Sequence, residues 1–526
     1  MEHPELTNRD RAQLEALGIS EEEAKRQLDL LRGSPPYLRL VRACTLGDGI
    51  KEIREEEHPE LLELHREAQE GGRCTKFVPA SGAATRMFRT LTWFKNSPED
   101  LSLKDLRARA SKGDGKAQEL LTFLENLERF PFYEDLRAAM ASDGIDLEEA
   151  LRGDGIRSIL EYLLEAKGLN YGSLPKGLLK FHRYPDGSRT AFEEHLVEAV
   201  DYVKDRQGVC RLHFTVSPEH RASFEELFEE VRARYEERYG VSYRVTFSEQ
   251  SRATDTIAVD LEGRPFRLSD ASLLLRPGGH GALLENLNAL KADIVFIKNV
   301  DNVVPDPLKP PGLLWKKLLG GYLLRVQRRL FGYLEGLAHG DVGEGFLKEA
   351  LEFAEGELHI RPPRNWTEMS LGERKAFLLE TLNRPLRVCG VVPNQGEPGG
   401  GPFWVEGPDG ELSLQIIEEA QIDPRSEEQQ RILKTATHFN PVDIVCGLRD
   451  WRGHPFDLQR YVDQRAVIVT EKSFEGRPLR ALERPGLWNG SMAHWNTIFV
   501  EVPLITFNPV KVVNDLLRET HQAKEG

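Results

Sequence analysis

CTKFVPASGAATRMF, residues 74 to 88, joins two unlike halves. Its first six residues suit a short buried strand over 74–79. Ala80, Ser81, Gly82, Ala83 and Ala84 then carry little or no side chain, and Thr85-Arg86 follows where a helix is expected to start. Strand, small residues and helix N-terminus together make an anion cradle. Small residues let backbone N–H groups approach phosphate oxygens, and the helix end adds a positive dipole. Arg86 can fork onto a phosphate through two parallel hydrogen bonds. The same spacing also suits a tight strand-to-helix turn with Arg86 in solvent, and the loop alone does not separate the two. No Gly-Lys-Ser/Thr follows, so this is not a Walker A loop, and G-x-G-x-x-G is absent.

Outward from the loop, strand and helix alternate. Residues 209–216 (VCRLHFTV) and 241–247 (VSYRVTF) are expected as strands flanking a Glu- and Arg-rich helix. ADIVFIKNVDN, 292 to 302, is an apolar run ending in polar residues, as in a buried parallel strand that presents ligands at its carboxyl end. Between 74 and 304 the alternation predicts an α/β fold with a mostly parallel sheet. Residues 97–170 and 312–380 are expected as helices, residues 386–423 and 440–511 as strand-rich, and residues 1–70 as helical. Within that last region Ser20 and Glu23 have capping-box spacing.

The 526 residues are too many for one small domain. A net charge of −15 argues against broad binding to nucleic acid or anionic membrane, which needs a basic face, although a local basic pocket is compatible with it. No run approaches the roughly 18 apolar residues of a membrane span, and MEHPELTNRDRAQLEALG has no apolar signal core. Cys44, Cys74, Cys210, Cys389 and Cys446 form no C-x-x-C pair, so neither a disulfide scaffold nor a zinc site is expected, and a reducing cytoplasm is the natural setting.

Further motifs follow in order: PKGLLKFHRYPDGSRTAFEEHL (175–196), SEQSRATD (248–255), RPGGHGALLENL (276–287), NVDNVVPD (299–306), LQIIEEAQID (414–423) and LWNGSMAHWNT (487–497). With SGAATRM (81–87), this succession resembles the nucleotide-sugar pyrophosphorylases, most of all those making UDP-N-acetylglucosamine and UDP-glucose. No single motif is specific; their shared order is. The whole chain is also similar to a bacterial domain-of-unknown-function family grouped with nucleotidyltransferases. Two departures are visible. Ala84 and Ser81 stand where the resembled family has glycine, and Arg86 and Lys176 are separated by a helical stretch instead of sharing a short loop.

The resemblance implies a nucleotide-diphospho-sugar transferase fold (GT-A, Rossmann-like). Residues 1–70 would be a helical N-terminal region and 71–310 a nucleotide-binding α/β core with a helical insertion at 91–170. Residues 311–385 would be a second helical insertion and 386–526 a sugar-binding half. The implied reaction joins a nucleoside triphosphate, UTP first among them, to a sugar 1-phosphate or similar acceptor. An acceptor phosphate is already anionic, so positioning and charge neutralisation matter more than a general base. Arg86 and Lys176 would be the catalytic cations, and Asp301 would hold Mg²⁺, which needs only one or two carboxylates. Ser81, Gly82, Ala83, Ala84 and Thr85 would line the phosphates, and Gln250, Pro277, Gly278, Gly279 and Gly281 the base and ribose. Glu418, Asn489 and Lys511 would meet the acceptor. Each residue also has a plain alternative: Asp301 as a turn residue, Lys176 and Glu418 as solvated charges, Asn489 as a partner of backbone groups, and the glycines as an unliganded loop. His280 fits contact with a ribose or phosphate, or an exposed place in its loop. A glycosyltransferase on a related fold and a non-catalytic nucleotide- or sugar-binding regulator fit the same composition.

Overall fold

In a computed structural model, which describes residues 6–82, 84–98, 102–153, 155–340, 342–396, 400–408 and 410–522, the expected strand forms over Cys74–Pro79 and sits inside a nine-stranded sheet. In chain order its strands are β1 (Thr45–Leu46), β2 (Gly49–Lys51), β3 (Cys74–Pro79), β4 (Val209–Val216), β5 (Ser242–Glu249), β6 (Ile294–Ile297), β7 (Leu386–Pro393), β8 (His438–Gly447) and β9 (Asn496–Glu501). They lie side by side as β1-β2-β9-β7-β8-β6-β3-β4-β5. The pairs β6–β3, β3–β4, β4–β5, β7–β9, β9–β2 and β1–β2 are parallel. Only β8 runs against the rest, antiparallel to both β6 and β7. This is the mixed, mostly parallel α/β architecture expected from the alternation.

The strand pleat sorts side chains onto two faces. From β6, Ile294 and Phe296 join one apolar core, and Val295 and Ile297 the other. The first face is covered by helices α1 (His58–Glu70), α2 (Ala191–Tyr202) and α4 (Lys309–His339), with α3 (Arg221–Tyr239) beyond them. Helix α2 opens on a full capping box: Thr190 accepts from the Glu193 N–H while Glu193 reaches back to the Thr190 N–H. Helix α4 crosses α1 closely, because Gly321 lacks a Cβ that would lie 1.9 Å from the Leu61 carbonyl oxygen. The second face is covered by Leu283, Leu284 and Leu287, by Leu487, Met492 and Trp495, and by Trp404, Leu414 and Ile416. The last three belong to a separate three-stranded sheet of Arg39–Ala43, Gly401–Glu406 and Leu412–Ile417.

Residues 1–70 are not helical throughout. Helices Asn8–Ala16 and Glu21–Arg32 form, but Arg39–Ala43 is a strand paired with Gly401–Glu406, and β1 and β2 extend the central sheet. The signal was weak because each strand is short and its partner lies far along the chain. The Ser20 box is half made: Ser20 accepts from Glu23 N–H, while the Glu23 carboxylate turns to Arg26 and Gln27. The stretch expected as a helical insertion is a series of short helices between Arg89 and Leu164 whose leucines merge into the main core.

Candidate active site

All parallel strands deliver their carboxyl ends to one edge of the sheet, and four distant segments meet there. The loop after β3 begins at Ala80, whose N–H donates to the Thr215 carbonyl at the end of β4. Ala84 donates to Leu174, and Met87 accepts from Val513 N–H. The loop after β6 carries Asp301, whose carbonyl accepts from Val510 N–H. At the centre the Lys176 Nζ donates to Asp301 Oδ2 and to the Val510 carbonyl, both at 2.6 Å. Gly177, next to Lys176, packs against Phe224 and Val300; a Cβ there would come within 2.7 Å of the Phe224 ring. Thus segments 80–87, 174–178, 298–302 and 508–513 are laced together, and they bring Arg86, Lys176, Asp301 and Lys511 to the same edge.

Within the loop, Thr85 and Arg86 are exposed, Ser81 is half-buried and Ala84 is buried. A Cβ at Gly82 would meet nothing within 4 Å, so this position faces open space. Ala83 lies outside the described residues. Instead of a helix directly at Thr85, a single 3-10 turn spans Ala84–Arg86 and the helix starts at Arg89. The amide of Ala84 is already bound to Leu174, so at this position the loop's own closure uses the N–H that the resemblance aims at a phosphate. Among the described residues Arg86 has no ion-pair partner.

A second group of candidates gathers around Glu418. Asn489 Nδ2 donates to Glu418 Oε1 at 2.8 Å and to Gln421 Oε1 at 3.2 Å. His280 stacks on Trp488 with ring centroids 4.8 Å apart, accepts from Leu487 N–H through Nδ1, and places Nε2 3.4 Å from Glu418 Oε1. The Nδ1 acceptor role puts the proton on Nε2, facing the carboxylate. Burial alone would raise the Glu418 carboxyl, but His280 and Asn489 outweigh it and hold it below the usual range. Asn489 is buried, and its Oδ1 has no partner among the described residues. Half-buried Gln250 donates to Thr254. Gly278 and Gly281 serve the chain's own crossing: a Cβ would lie 2.5 Å from the Thr254 oxygen at 278 and 2.0 Å from the Pro485 oxygen at 281. Gly279 takes the left-handed φ of +76° that glycine tolerates. Pro277 is exposed beside them. No hydrogen bond among the described residues joins this group to the Lys176–Asp301 group.

His280 is held by three contacts, with its side chain 33% exposed. One feature left no sign in the sequence: beneath Asp301 lies a buried charge network contributed by β3, α2, α4, β8 and the loop after β6. Lys76 bonds Glu198 at 2.6 Å, Lys316 bonds Glu198 at 2.9 Å, and Lys298, three residues before Asp301, bonds Asp443 at 3.2 Å. Burial would raise the Glu198 carboxyl, but Lys316 and Lys76 hold it well below its usual range, and burial brings Lys76 down to about 8. His195 bonds the Val300 carbonyl at 3.1 Å, fixing the loop from below. Each member is an isolated charge in the sequence; only the fold assembles them.

A cavity of about 910 Å³ opens at the opposite, amino-terminal edge, between Arg384, His494 and Asn496, and none of the candidate residues lines it. Ligands of open α/β sheets ordinarily bind outside the carboxyl ends, where Lys176 and Asp301 stand. No helix among the described residues is long and apolar enough to cross a membrane.

The chain is similar in structure to UDP-N-acetylglucosamine pyrophosphorylase from Trypanosoma brucei, solved with an inhibitor, at 14% identity over 97% of this chain and 79% of that one, with a TM-score of 0.47. It is similar to a point mutant of UDP-glucose pyrophosphorylase from Leishmania major in complex with UDP-glucose, at 13% identity over 98% and 79%, with a TM-score of 0.45. It is also similar to UDP-glucose phosphorylase from Trypanosoma brucei, at 12% identity over 97% and 78%, with a TM-score of 0.44. No curated protein matches the chain. A family model matches residues 7–522, nearly the whole length, and the protein therefore belongs to the family described as domain of unknown function DUF4301.

Proposed function

We propose that the protein is a nucleotidyltransferase that joins a nucleoside triphosphate, with UTP the first candidate, to a small phosphorylated acceptor and releases pyrophosphate. The observation that carries this is the convergence of the small-residue loop, Lys176 and Asp301 at the carboxyl edge, with Lys176 in direct contact with Asp301. An acceptor phosphate oxygen forms a bond to the α-phosphorus, the bond from that phosphorus to its β-bridging oxygen breaks, and the electron pair leaves with pyrophosphate; no proton is transferred. Exposed Arg86 receives charge on the β- and γ-phosphates. Lys176 neutralises the α-phosphate as it turns from Asp301. Glu418, held ionised by His280 and Asn489, accepts hydrogen bonds from acceptor hydroxyls.

The donor set fits magnesium. Asp301 is a single carboxylate in the turn after β6, and Mg²⁺ is commonly held by one or two carboxylates together with substrate phosphates and waters. When bound by Asp301, the ion would supply Lewis-acid neutralisation of phosphate charge.

The test is pyrophosphate release from each nucleoside triphosphate with Mg²⁺ against a panel of phosphorylated sugars and alcohols. Release that requires an acceptor, and that falls at least about a hundredfold in Asp301→Ala and Arg86→Ala, is expected. A glycosyl product formed from a nucleotide sugar, or nucleotide binding without turnover, would replace this function with another.

A further inference from the structure

We infer that the cavity at the amino-terminal edge is a second ligand site, and that its ligand is an organic molecule bearing two or more anionic groups. The cavity measures about 910 Å³, the size of a small-molecule site and far more than one inorganic anion fills. It opens between the loop after helix Glu344–Leu358, the end of helix Leu371–Leu382, the three-stranded sheet and the start of β9. Five arginines line it. Arg39 bonds Glu406 at 2.7 Å and Arg465 bonds Asp463 at 3.2 Å, so two are neutralised in place. Arg361, Arg364 and Arg384 have no acidic partner within ion-pair distance among the described residues. The other lining acids, Glu411 and Glu428, are exposed. In a chain with 85 acids against 70 lysines and arginines, three arginines without a counter-ion around one cavity run against the composition.

The contacts these arginines do make leave hydrogen-bonding edges unused. Arg384 donates through Nε to the Glu380 carbonyl at 3.2 Å, in the last turn of its helix, and its two terminal nitrogens have no acceptor among the described residues. Arg361 lies 5.7 Å from the centroid of the Trp404 ring, a contact that engages the face of the guanidinium and not its N–H edge. His494 stands within electrostatic reach of Arg384, Arg465 and Asp463, so one carboxylate there faces two arginines and a histidine. The wall also holds unspent polar capacity. Trp495, 5% exposed, and His359 each carry a buried ring nitrogen with no hydrogen-bond partner among the described residues. Ile360, Pro362 and Phe377 add apolar wall. An inorganic anion would meet a guanidinium fork and leave that apolar surface in water. A carbon body carrying several phosphate, sulfonate or carboxylate groups covers both. The inference does not depend on nucleotidyl transfer, because no residue assigned to that reaction lines the cavity.

The experiment uses the full chain and the fluorescent polyanion 1,3,6,8-pyrenetetrasulfonate, followed by anisotropy at constant ionic strength, with sulfate or naphthalene-1,5-disulfonate as competitor. The competitors carry the same charge and differ in the carbon body. The disulfonate is expected to displace the dye at a concentration at least about tenfold lower than sulfate. Arg384→Gln and the double variant Arg361→Gln/Arg364→Gln are each expected to weaken the dye at least about tenfold, the effect of one lost charge-assisted hydrogen bond, while Arg86→Gln binds it like the parent. Equal affinity in the parent and both cavity variants, weakening in Arg86→Gln alone, or displacement by sulfate as effective as by the disulfonate overturns the inference. So does a collapse of pyrophosphate release in Arg384→Gln, since the cavity would then hold the reacting substrate. A parent chain that releases no pyrophosphate from any triphosphate, yet binds the dye as expected, removes the proposed activity and leaves this site standing.

Discussion

Replacing Lys176 by alanine tests whether the contact at the sheet edge is catalytic machinery or only a brace. In the folded chain Lys176 and Asp301 are 16% and 19% exposed and 2.6 Å apart, so the pair is neither on the surface nor fully buried. Exposed pairs contribute about 0.2–1 kcal/mol, and breaking a fully buried pair costs about 3–5 kcal/mol. Lys176→Ala also strips the Val510 carbonyl of its donor, and the intermediate position gives an expected loss of about 1–3 kcal/mol in stability. The double variant with Asp301→Ala should lose less than the sum of the single changes, because the second removes the carboxylate that the first leaves uncompensated. Catalysis responds on a different scale. Removing one group that neutralises transition-state charge lowers turnover about 10²- to 10³-fold. Urea unfolding of both single variants and the double variant gives the stability cycle, and acceptor-dependent pyrophosphate release gives turnover under conditions where each variant is folded. Lost stability with turnover within a fewfold of the parent would make the ion pair a brace and take Lys176 and Asp301 out of the chemistry.

Three further outcomes follow from particular contacts. Gly281→Ala drives a Cβ to within 2.0 Å of the Pro485 oxygen and is expected to destabilise by at least about 2 kcal/mol in urea unfolding, whereas Gly82→Ala meets nothing and should unfold like the parent. Any loss of triphosphate affinity in a fully stable Gly82→Ala would then report close approach of ligand to the loop. Burial lowers the buried His65 and His213 to about 4. Between about 4 and 6.5 the unfolded chain binds protons that the folded chain refuses, so stability is full above about 6.5 and falls with acid. At pH 5 the expected loss is about 2 kcal/mol for each, and thermal unfolding at pH 7.5 and 5 should show it, with His213→Gln reducing the difference. His280→Ala removes the ring that helps hold Glu418 ionised, so the acid limb of the turnover–pH profile should move to higher pH; an unmoved limb would detach His280 from the site.

Much of the central sheet was legible because its strands are continuous apolar runs closed by polar residues. VCRLHFTV and IVFI in ADIVFIKNVDN read directly as buried strands. The strand Arg39–Ala43 was not legible, because its pairing with Gly401–Glu406 supplies order that no local pattern encodes. The site divides in the same way. Residue types with strong local context, such as Pro-Lys-Gly at 175–177 and Asp301 at a strand end, proved to share one edge. The small size of Gly278 and Gly281 instead answers to other parts of the chain, at Thr254 and Pro485, and a sequence alone cannot say whether a glycine makes room for a ligand or for the protein. The Lys76–Glu198–Lys316 network was not legible for the same reason, since charge pairing across distant elements leaves no periodic trace.

The most direct measurement is a crystal structure of the protein with a non-hydrolysable UTP analogue and Mg²⁺. The expected structure has a triphosphate lying between residues 81–86 and Asp301, with the Lys176 ammonium turned from the carboxylate to a phosphate oxygen. A triphosphate seated in the cavity by Arg384 and Asn496, with the Lys176–Asp301 pair intact, would contradict it.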